Sequence, residues 1–165
     1  MSGPVVHVDA VEEQEQTFGR WGGFFRVLTP TMRPAGGKLG VNHVRVPPGR
    51  ALTPFHTHAL EDEVFYVLSG RGVLRYGDEM YALAEGDCVS CPAGTGTAHQ
   101  IANPYDDDLV YLAIGNREAH EVCTYPDSGK VMVRSLGQVG ALSRLPYLEG
   151  EGEVPKVFEL LDKEV

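Results

Sequence analysis

Short apolar stretches separated by turn-forming residues are the feature that most restricts the fold of this chain. The sequence contains 20 glycines and 11 prolines, spread along its whole length. Segments such as EVFYVLSG (63–70) and LVYLAIG (109–115) are rich in β-branched and aromatic residues and end at a glycine. The pattern therefore predicts an all-β domain, in which several short strands joined by tight turns form a sandwich or a barrel.

The size and charge of the chain limit its partners. A chain of 165 residues fits one domain, which buries roughly two thirds of the surface of the unfolded chain. Lys and Arg number 14 against 23 Asp and Glu, a net charge of −9, so nucleic acid is not an expected partner. No apolar run approaches a membrane-spanning length, no secretion signal is apparent, and the three cysteines are an odd number. These features predict a cytoplasmic protein without a membrane partner.

Two histidines separated by one residue, His56 and His58, begin the stretch FHTHALEDE (55–63). Side chains two residues apart project from the same face of a strand, whereas on a helix they point in nearly opposite directions. Prolines in the preceding PPGRALTPF (47–55) disfavour a helix. The pair can therefore bind one ion from an extended chain.

Three acidic residues, Glu61, Asp62 and Glu63, follow the two histidines. Residues 59–62 have the composition of a turn, which resets the strand alternation after His58 and lets the next strand begin near Glu63. Both faces of that next strand are apolar, so either can be the interior. Glu61 and Asp62 lie in the predicted turn, where acids are normally solvated, and Glu61 has the alternative role of a proton-transfer group.

Another histidine, His99, follows a turn rich in proline and glycine in PAGTGTAHQIAN (92–103) and opens a strand. From there it can reach the same ion as the first two histidines. Among the other histidines, His43 lies on the same strand face as Arg45. This face can border a pocket.

Residues 49–70, GRALTPFHTHALEDEVFYVLSG, resemble the first motif of the cupin superfamily. That motif contains HxH, a glutamate after four further residues and a glycine after six more. His56, His58, Glu63 and Gly70 match this spacing in full, while the segment before the histidines is one residue longer than usual.

Residues 86–103, GDCVSCPAGTGTAHQIAN, resemble the second cupin motif. Four residues separate Gly94 from His99 where the pattern has two, and counting from Gly96 restores the usual spacing. The turn therefore carries two additional residues. With both motifs present in the right order, the resemblance covers about residues 38–115.

The resemblance implies a jelly-roll β-barrel with additional terminal segments. The spacer between the motifs, residues 71–85, is compact, as in small bacterial single-domain cupins. Residues 1–165 would then be a single domain. Its core barrel would span about 38–115, between an N-terminal arm at 1–37 and a C-terminal strap over the barrel at 116–165.

The same resemblance implies that His56, His58, Glu63 and His99 bind one divalent transition metal ion per chain. Three imidazoles and one carboxylate suit iron, manganese, nickel, copper or zinc. Four protein ligands leave two positions of an octahedral shell for water, dioxygen or a chelating substrate. The ion can then act as a Lewis acid or a redox centre.

We therefore expect a metal-binding cupin that acts as an enzyme on a small, oxygen-rich metabolite. The reaction would be a dioxygenation, a decarboxylation, an isomerisation or a lyase step, and the catalytic proton-transfer residue is unknown. The alternative is a non-catalytic module that binds or senses a small molecule, although no DNA-binding segment accompanies the barrel. Cupins commonly pair through sheet faces and exchanged terminal strands, so we also expect a homodimer.

Overall fold

The computed structural model describes residues 3–161, and nearly all of its regular structure is β-strand. Single turns of 3-10 helix occupy Val8–Ala10 and Arg134–Leu136. The strands and the α-helix are β1 (Gln14–Phe18), β2 (Trp21–Val27), β3 (Gly40–Val46), β4 (Arg50–Ala51), β5 (Thr57–His58), β6 (Glu63–Ser69), β7 (Arg71–Tyr76), β8 (Glu79–Ala84), β9 (Cys88–Cys91), β10 (His99–Asn103), β11 (Leu109–Gly115), β12 (Val122–Tyr125), β13 (Lys130–Val133), β14 (Gln138–Ala141) and α1 (Lys156–Leu161). The prediction of an all-β fold is confirmed. Within residues 3–161, no helix has the length and apolar character needed to cross a membrane.

Ten strands form one curled sheet, in the order β8-β7-β10-β4-β2-β3-β11-β6-β9, with β1 added to β2. Neighbouring strands run antiparallel, except for a short parallel contact between β2 and β4. Strands far apart in the sequence, such as β3 and β11, lie side by side. This architecture is the jelly roll that the sequence motifs predict.

A second sheet has four strands in the order β14-β13-β12-β5. In it, Cys123 of β12 lies opposite His58 of β5. Just before β5, His56 forms a two-way backbone bridge with His99 of the large sheet, through N–H···O bonds of 3.1 and 2.8 Å. The two sheets therefore meet at the histidines.

Alternation along β6 shows which face of that strand is interior. Phe65 and Val67 are 7% and 1% exposed, whereas Tyr66 and Leu68 are 42% and 36% exposed. Phe65 packs edge-on against the buried ring of Tyr111 on β11, with ring centroids 5.7 Å apart. The interior face of β6 thus carries positions 63, 65 and 67, and position 63 is a glutamate.

The N-terminal arm expected over residues 1–37 is in part sheet. β2 lies between β3 and β4, and β1 pairs along β2 from Gln14 to Phe18. Gly22 has φ +97°, and a Cβ there would overlap the backbone carbonyl of Gln16. A glycine at this position is therefore needed for the two strands to approach each other.

The C-terminal segment expected over the barrel at 116–165 has two parts with different burial. β12 and β13 join the small sheet, but every described residue from 135 to 161 is exposed. β14 and α1 accordingly bury no side chain. Prolines and glycines in LPYLEGEGEVP (145–155) keep this segment from forming an element long enough to pack against the sheet.

Candidate metal centre

The four side chains that the motifs single out lie around one carboxylate oxygen. Glu63 Oε2 is 2.8 Å from Nε2 of His99, 3.3 Å from Nε2 of His58 and 3.5 Å from Nε2 of His56. All three imidazoles thus direct the same ring nitrogen towards a common point. The structure brings together every residue of the predicted ligand set.

Local backbone structure explains this convergence. His56 and His58 project from one side of the extended chain at β5, as their spacing predicts. Residues 59–62 form no strand, and this irregular turn resets the alternation so that Glu63 at the start of β6 faces the same point. The backbone bridge from His56 holds His99 beside the pair.

The tautomer of His56 indicates what the cluster can bind. His56 Nδ1 lies 2.8 Å from the carbonyl oxygen of Pro54, which can only accept a hydrogen bond. In the neutral ring Nδ1 therefore carries the proton and Nε2 presents a lone pair towards Glu63. A lone pair and a carboxylate that face each other are a donor set for a cation. The residues present thus fit a divalent transition metal ion.

The charge state of Glu63 suits a metal ligand. Burial by itself raises the pKa of this carboxyl group, but hydrogen bonds from His56, His58 and His99 outweigh burial and hold the pKa well below its usual range. His56 donates such a bond through Nε2 only when its ring is protonated on both nitrogens, whereas the neutral ring leaves Nε2 free to bind a cation. Burial lowers the pKa of His58, while Glu63 and Glu121 raise it to a value above the ordinary one. Glu63 is therefore ionised at neutral pH, as a metal ligand must be.

Glu121, which the sequence did not single out, lies behind His58. Its side chain has no exposed surface and accepts hydrogen bonds from the backbone N–H groups of Ala59 (2.8 Å) and Leu60 (2.9 Å). Its Oε1 is also 3.4 Å from His58 Nδ1. A carboxylate in this position favours a proton on Nδ1, which leaves Nε2 available as a ligand. No local sequence signal distinguishes Glu121 from a solvated acid.

The prediction that Glu61 is a solvated turn acid is wrong. Glu61 is only 6% exposed and accepts hydrogen bonds from Arg134 Nη2 (2.6 Å) and from the backbone N–H of Glu118 (2.7 Å). The C-terminal segment supplies both donors, so the turn sequence by itself does not reveal the burial. Asp62 is exposed, as predicted, and accepts a hydrogen bond from the N–H of Ala93 (2.8 Å).

The interpretation that His43 and Arg45 border the pocket is also wrong. On β3 the alternate residues point inward: Val44 is buried and Asn42 lines the cavity beside the candidate site. Arg45 instead forms an ion pair with Glu13 at 2.8 Å on the opposite face. Side chains of β3 do alternate between two faces, but which face is interior depends on the neighbouring strands.

Cys123 is a poor candidate for a further ligand, although its sulfur lies near the histidines. Among residues 3–161, ligand atoms of three groups lie within 4.8 Å of one another: His56, Glu63 and His99; His56, His58 and Cys123; and His58, Glu61 and Glu121. Burial raises the pKa of the Cys123 thiol to about 11, so a metal ion that bound this sulfur would have to displace its proton. The first group, together with His58, is the set that surrounds Glu63.

A cavity of about 600 Å³ reaches from Glu63 to the protein surface. Its volume suits a small metabolite. Glu61 and Glu63 are the acidic residues that line it, and its cationic residues are Arg33, Lys38 and Arg117. The candidate metal centre is therefore open to a ligand from one side.

The fold and the site define a class of protein: a small jelly-roll domain with a buried cluster of histidine and glutamate side chains that can hold a metal ion. Residues 42–115 match the Cupin domain family. This part of the chain is a cupin domain.

Two crystal structures resemble most of the chain. A cupin named as a sugar phosphate isomerase, from Silicibacter pomeroyi, has a TM-score of 0.70 and 26% identity, covering 87% of this chain and 98% of that one. A protein from Acidithiobacillus ferrooxidans, named as a candidate sugar phosphate isomerase, has a TM-score of 0.71 and 26% identity, covering 84% and 92%.

Among curated proteins, an oxalate-binding protein from Thermotoga maritima is 32% identical over 71 residues, 43% of this chain. The chain spans 56% of the length of that relative and 63% of the length of a second curated relative. Both alignments thus cover less than two thirds of the relative.

Proposed function

We propose that the protein binds one divalent transition metal ion per chain through His56, His58, Glu63 and His99. The convergence of three imidazole Nε2 atoms on the ionised Glu63 carboxylate supports this proposal most strongly. Three nitrogen donors and one oxygen donor suit iron, manganese, nickel, copper or zinc. When bound, such an ion supplies Lewis-acid or redox chemistry at the inner end of the cavity.

Elemental analysis of the purified protein tests the metal site. We expect one divalent metal ion per chain in the wild type, and its loss in His56→Ala and His99→Ala. His120→Ala is the matched control, because His120 is exposed and lies outside the cluster, so its metal content should equal that of the wild type. Wild-type protein that is metal-free and binds none of the five metals on addition would overturn the proposal.

We further propose that the protein is an enzyme acting on a small, oxygen-rich metabolite in the 600 Å³ cavity. Dioxygenation, decarboxylation, isomerisation and lyase chemistry are all compatible with the donor set. Isomerisation of a sugar phosphate is the reaction we favour, because two structures that cover more than four fifths of the chain bear that name. Glu61 lines the same cavity as Glu63, and we propose it as the proton-transfer group.

Incubation of metal-loaded protein with pooled sugar phosphates and other small metabolites separates an enzyme from a binding module. We expect a product from the wild type and none from Glu61→Gln, which keeps its metal. Thermal stabilisation by a metabolite without any product would favour the sensing alternative.

We propose that the protein forms a homodimer in solution. The exposed C-terminal segment carries large apolar side chains, including Tyr147 at 96% and Leu142 at 69% exposure. β14 also lies at the edge of the small sheet, where its outer backbone groups can pair with a second chain. Sedimentation equilibrium should give twice the chain mass for the wild type and a lower mass for Leu142→Asp. A wild-type mass of one chain at all concentrations would contradict the proposed homodimer.

A further inference from the structure

Two arginines line the outer part of the cavity that contains the candidate metal centre. Arg33 lies in the connection between β2 and β3, and Arg117 follows the end of β11. Both are exposed, and both line the cavity together with Glu63. The cavity therefore brings two exposed guanidinium groups and the candidate ligand Glu63 to one space.

The neighbouring cations are paired, but these two arginines are not. Lys38 binds Glu118 at 2.8 Å, and Arg134 binds Glu61 at 2.6 Å. Within residues 3–161, neither Arg33 nor Arg117 forms an ion pair with a carboxylate. The outer part of the cavity thus has an excess of positive charge.

The arginines are close enough to affect one another. Burial lowers the pKa of Arg117, and the nearby charges of Arg134 and Arg33 lower it further, against the opposing effect of Glu61. Like charges that crowd together without a counter-ion repel each other. An anion placed between Arg33 and Arg117 would relieve this repulsion.

This local positive charge contrasts with the rest of the molecule. The whole chain has a net charge of −9, so its average field repels anions. A guanidinium group presents a planar fork of N–H donors, which matches the oxygens of a phosphate or a carboxylate. Two guanidinium groups without an ion-pair partner that line one cavity are therefore suited to the anionic end of a small ligand.

We propose that Arg33 and Arg117 bind an oxyanion, a phosphate or a carboxylate group, at the outer end of the substrate. The remainder of the substrate then extends along the cavity towards Glu63. The orientation of the substrate rests on the proposed function, whereas the oxyanion site depends only on the two arginines. With such an oxyanion site, the substrate class is an anionic metabolite rather than a neutral sugar.

Calorimetric titration of the full chain with ribose 5-phosphate, ribonate and ribose tests the proposal. We expect at least one of the two anions to bind about tenfold or more tightly than ribose. Tighter binding of ribose 5-phosphate identifies a phosphate site, and tighter binding of ribonate identifies a carboxylate site. Equal affinities for all three, or no binding of any of them, would overturn the proposal.

Substitutions of Arg33 and Arg117 test whether these side chains cause the preference for anions. Arg33→Gln and Arg117→Gln should each weaken binding of the preferred anion by about tenfold and leave binding of ribose unchanged. Arg144→Gln is the matched control, because Arg144 is equally exposed but lies outside the cavity. Unchanged anion binding in both cavity variants, with unaltered melting temperatures, would contradict the assignment.

A further titration separates this inference from the proposed metal function. His56→Ala protein is titrated with the preferred anion after its metal content has been measured. Retained, arginine-dependent binding would support the oxyanion site even if the wild type held no metal. Metal-loaded wild type without any preference for anions would refute the oxyanion site and leave the metal site intact.

Discussion

Gly70→Ala is expected to destabilise the protein by about 3 kcal/mol or more. Gly70 has φ +80°, a conformation that is strained for any residue with a Cβ. A Cβ at this position would also overlap the backbone carbonyl oxygen of Asp108 and lie 3.1 Å from the Cα of Leu109. Because these atoms belong to the backbone next to a core strand, relief requires movement of β6 or β11. Chemical denaturation monitored by circular dichroism measures the loss.

Gly86→Ala is the matched control for this prediction. Gly86 has a similar φ of +90°, but a Cβ there would meet no atom within 4 Å. Its cost should be limited to the backbone strain, about 1 kcal/mol. Equal losses in the two variants would show that the contact with Asp108 contributes nothing and that strain explains both.

Glu121→Ala is expected to destabilise the metal-free protein by about 3 kcal/mol. The substitution leaves the N–H groups of Ala59 and Leu60 without their acceptor in a buried place and opens a void beside His58. Glu121→Gln retains nearly the same volume and one acceptor oxygen, so only one of the two N–H groups loses its acceptor and we expect a smaller cost than for Glu121→Ala. Denaturant titration of both variants after treatment with a chelator gives the two values.

The same two variants test whether Glu121 orients His58. Its carboxylate lies 3.4 Å from His58 Nδ1, so loss of the charge in Glu121→Gln should weaken metal binding by about tenfold, even where the fold is retained. Competition with a chelator of known affinity measures this. Unchanged metal affinity in Glu121→Gln would restrict the role of Glu121 to the backbone turn.

Much of the fold was predictable because strand and turn signals are local. Apolar stretches that end at glycine predicted strands at 63–70 and 109–115, and the structure confirms them as β6 and β11. The parity of His56 and His58 predicted an extended chain, and the acidic turn at 59–62 predicted the change of phase before Glu63. The spacing to Gly70 distinguished Glu63 from the two acids before it.

Other features depend on chain segments that are distant in sequence. Glu61 was predicted to be solvated, yet Arg134 and the backbone of Glu118 bury and bind it. Glu121 has no local signal at all, because its importance arises from the turn more than 60 positions earlier that it binds. In the C-terminal segment, residues 118–134 contact the site, whereas the described residues 135–161 are exposed, and no local signal separates these two parts.

The sequence by itself determined the all-β character, since strand alternation and turn signals extend over only a few residues. Its resemblance to the two cupin motifs implied the jelly roll and the four candidate ligands. The tertiary structure decided which face of β6 is interior, because that depends on how β11 and β9 pair with it. It also decided that His99 lies beside His56, through a backbone bridge across 43 positions, and that Arg33 and Arg117 share one cavity. Such contacts arise only when the sheet curls and brings distant segments together.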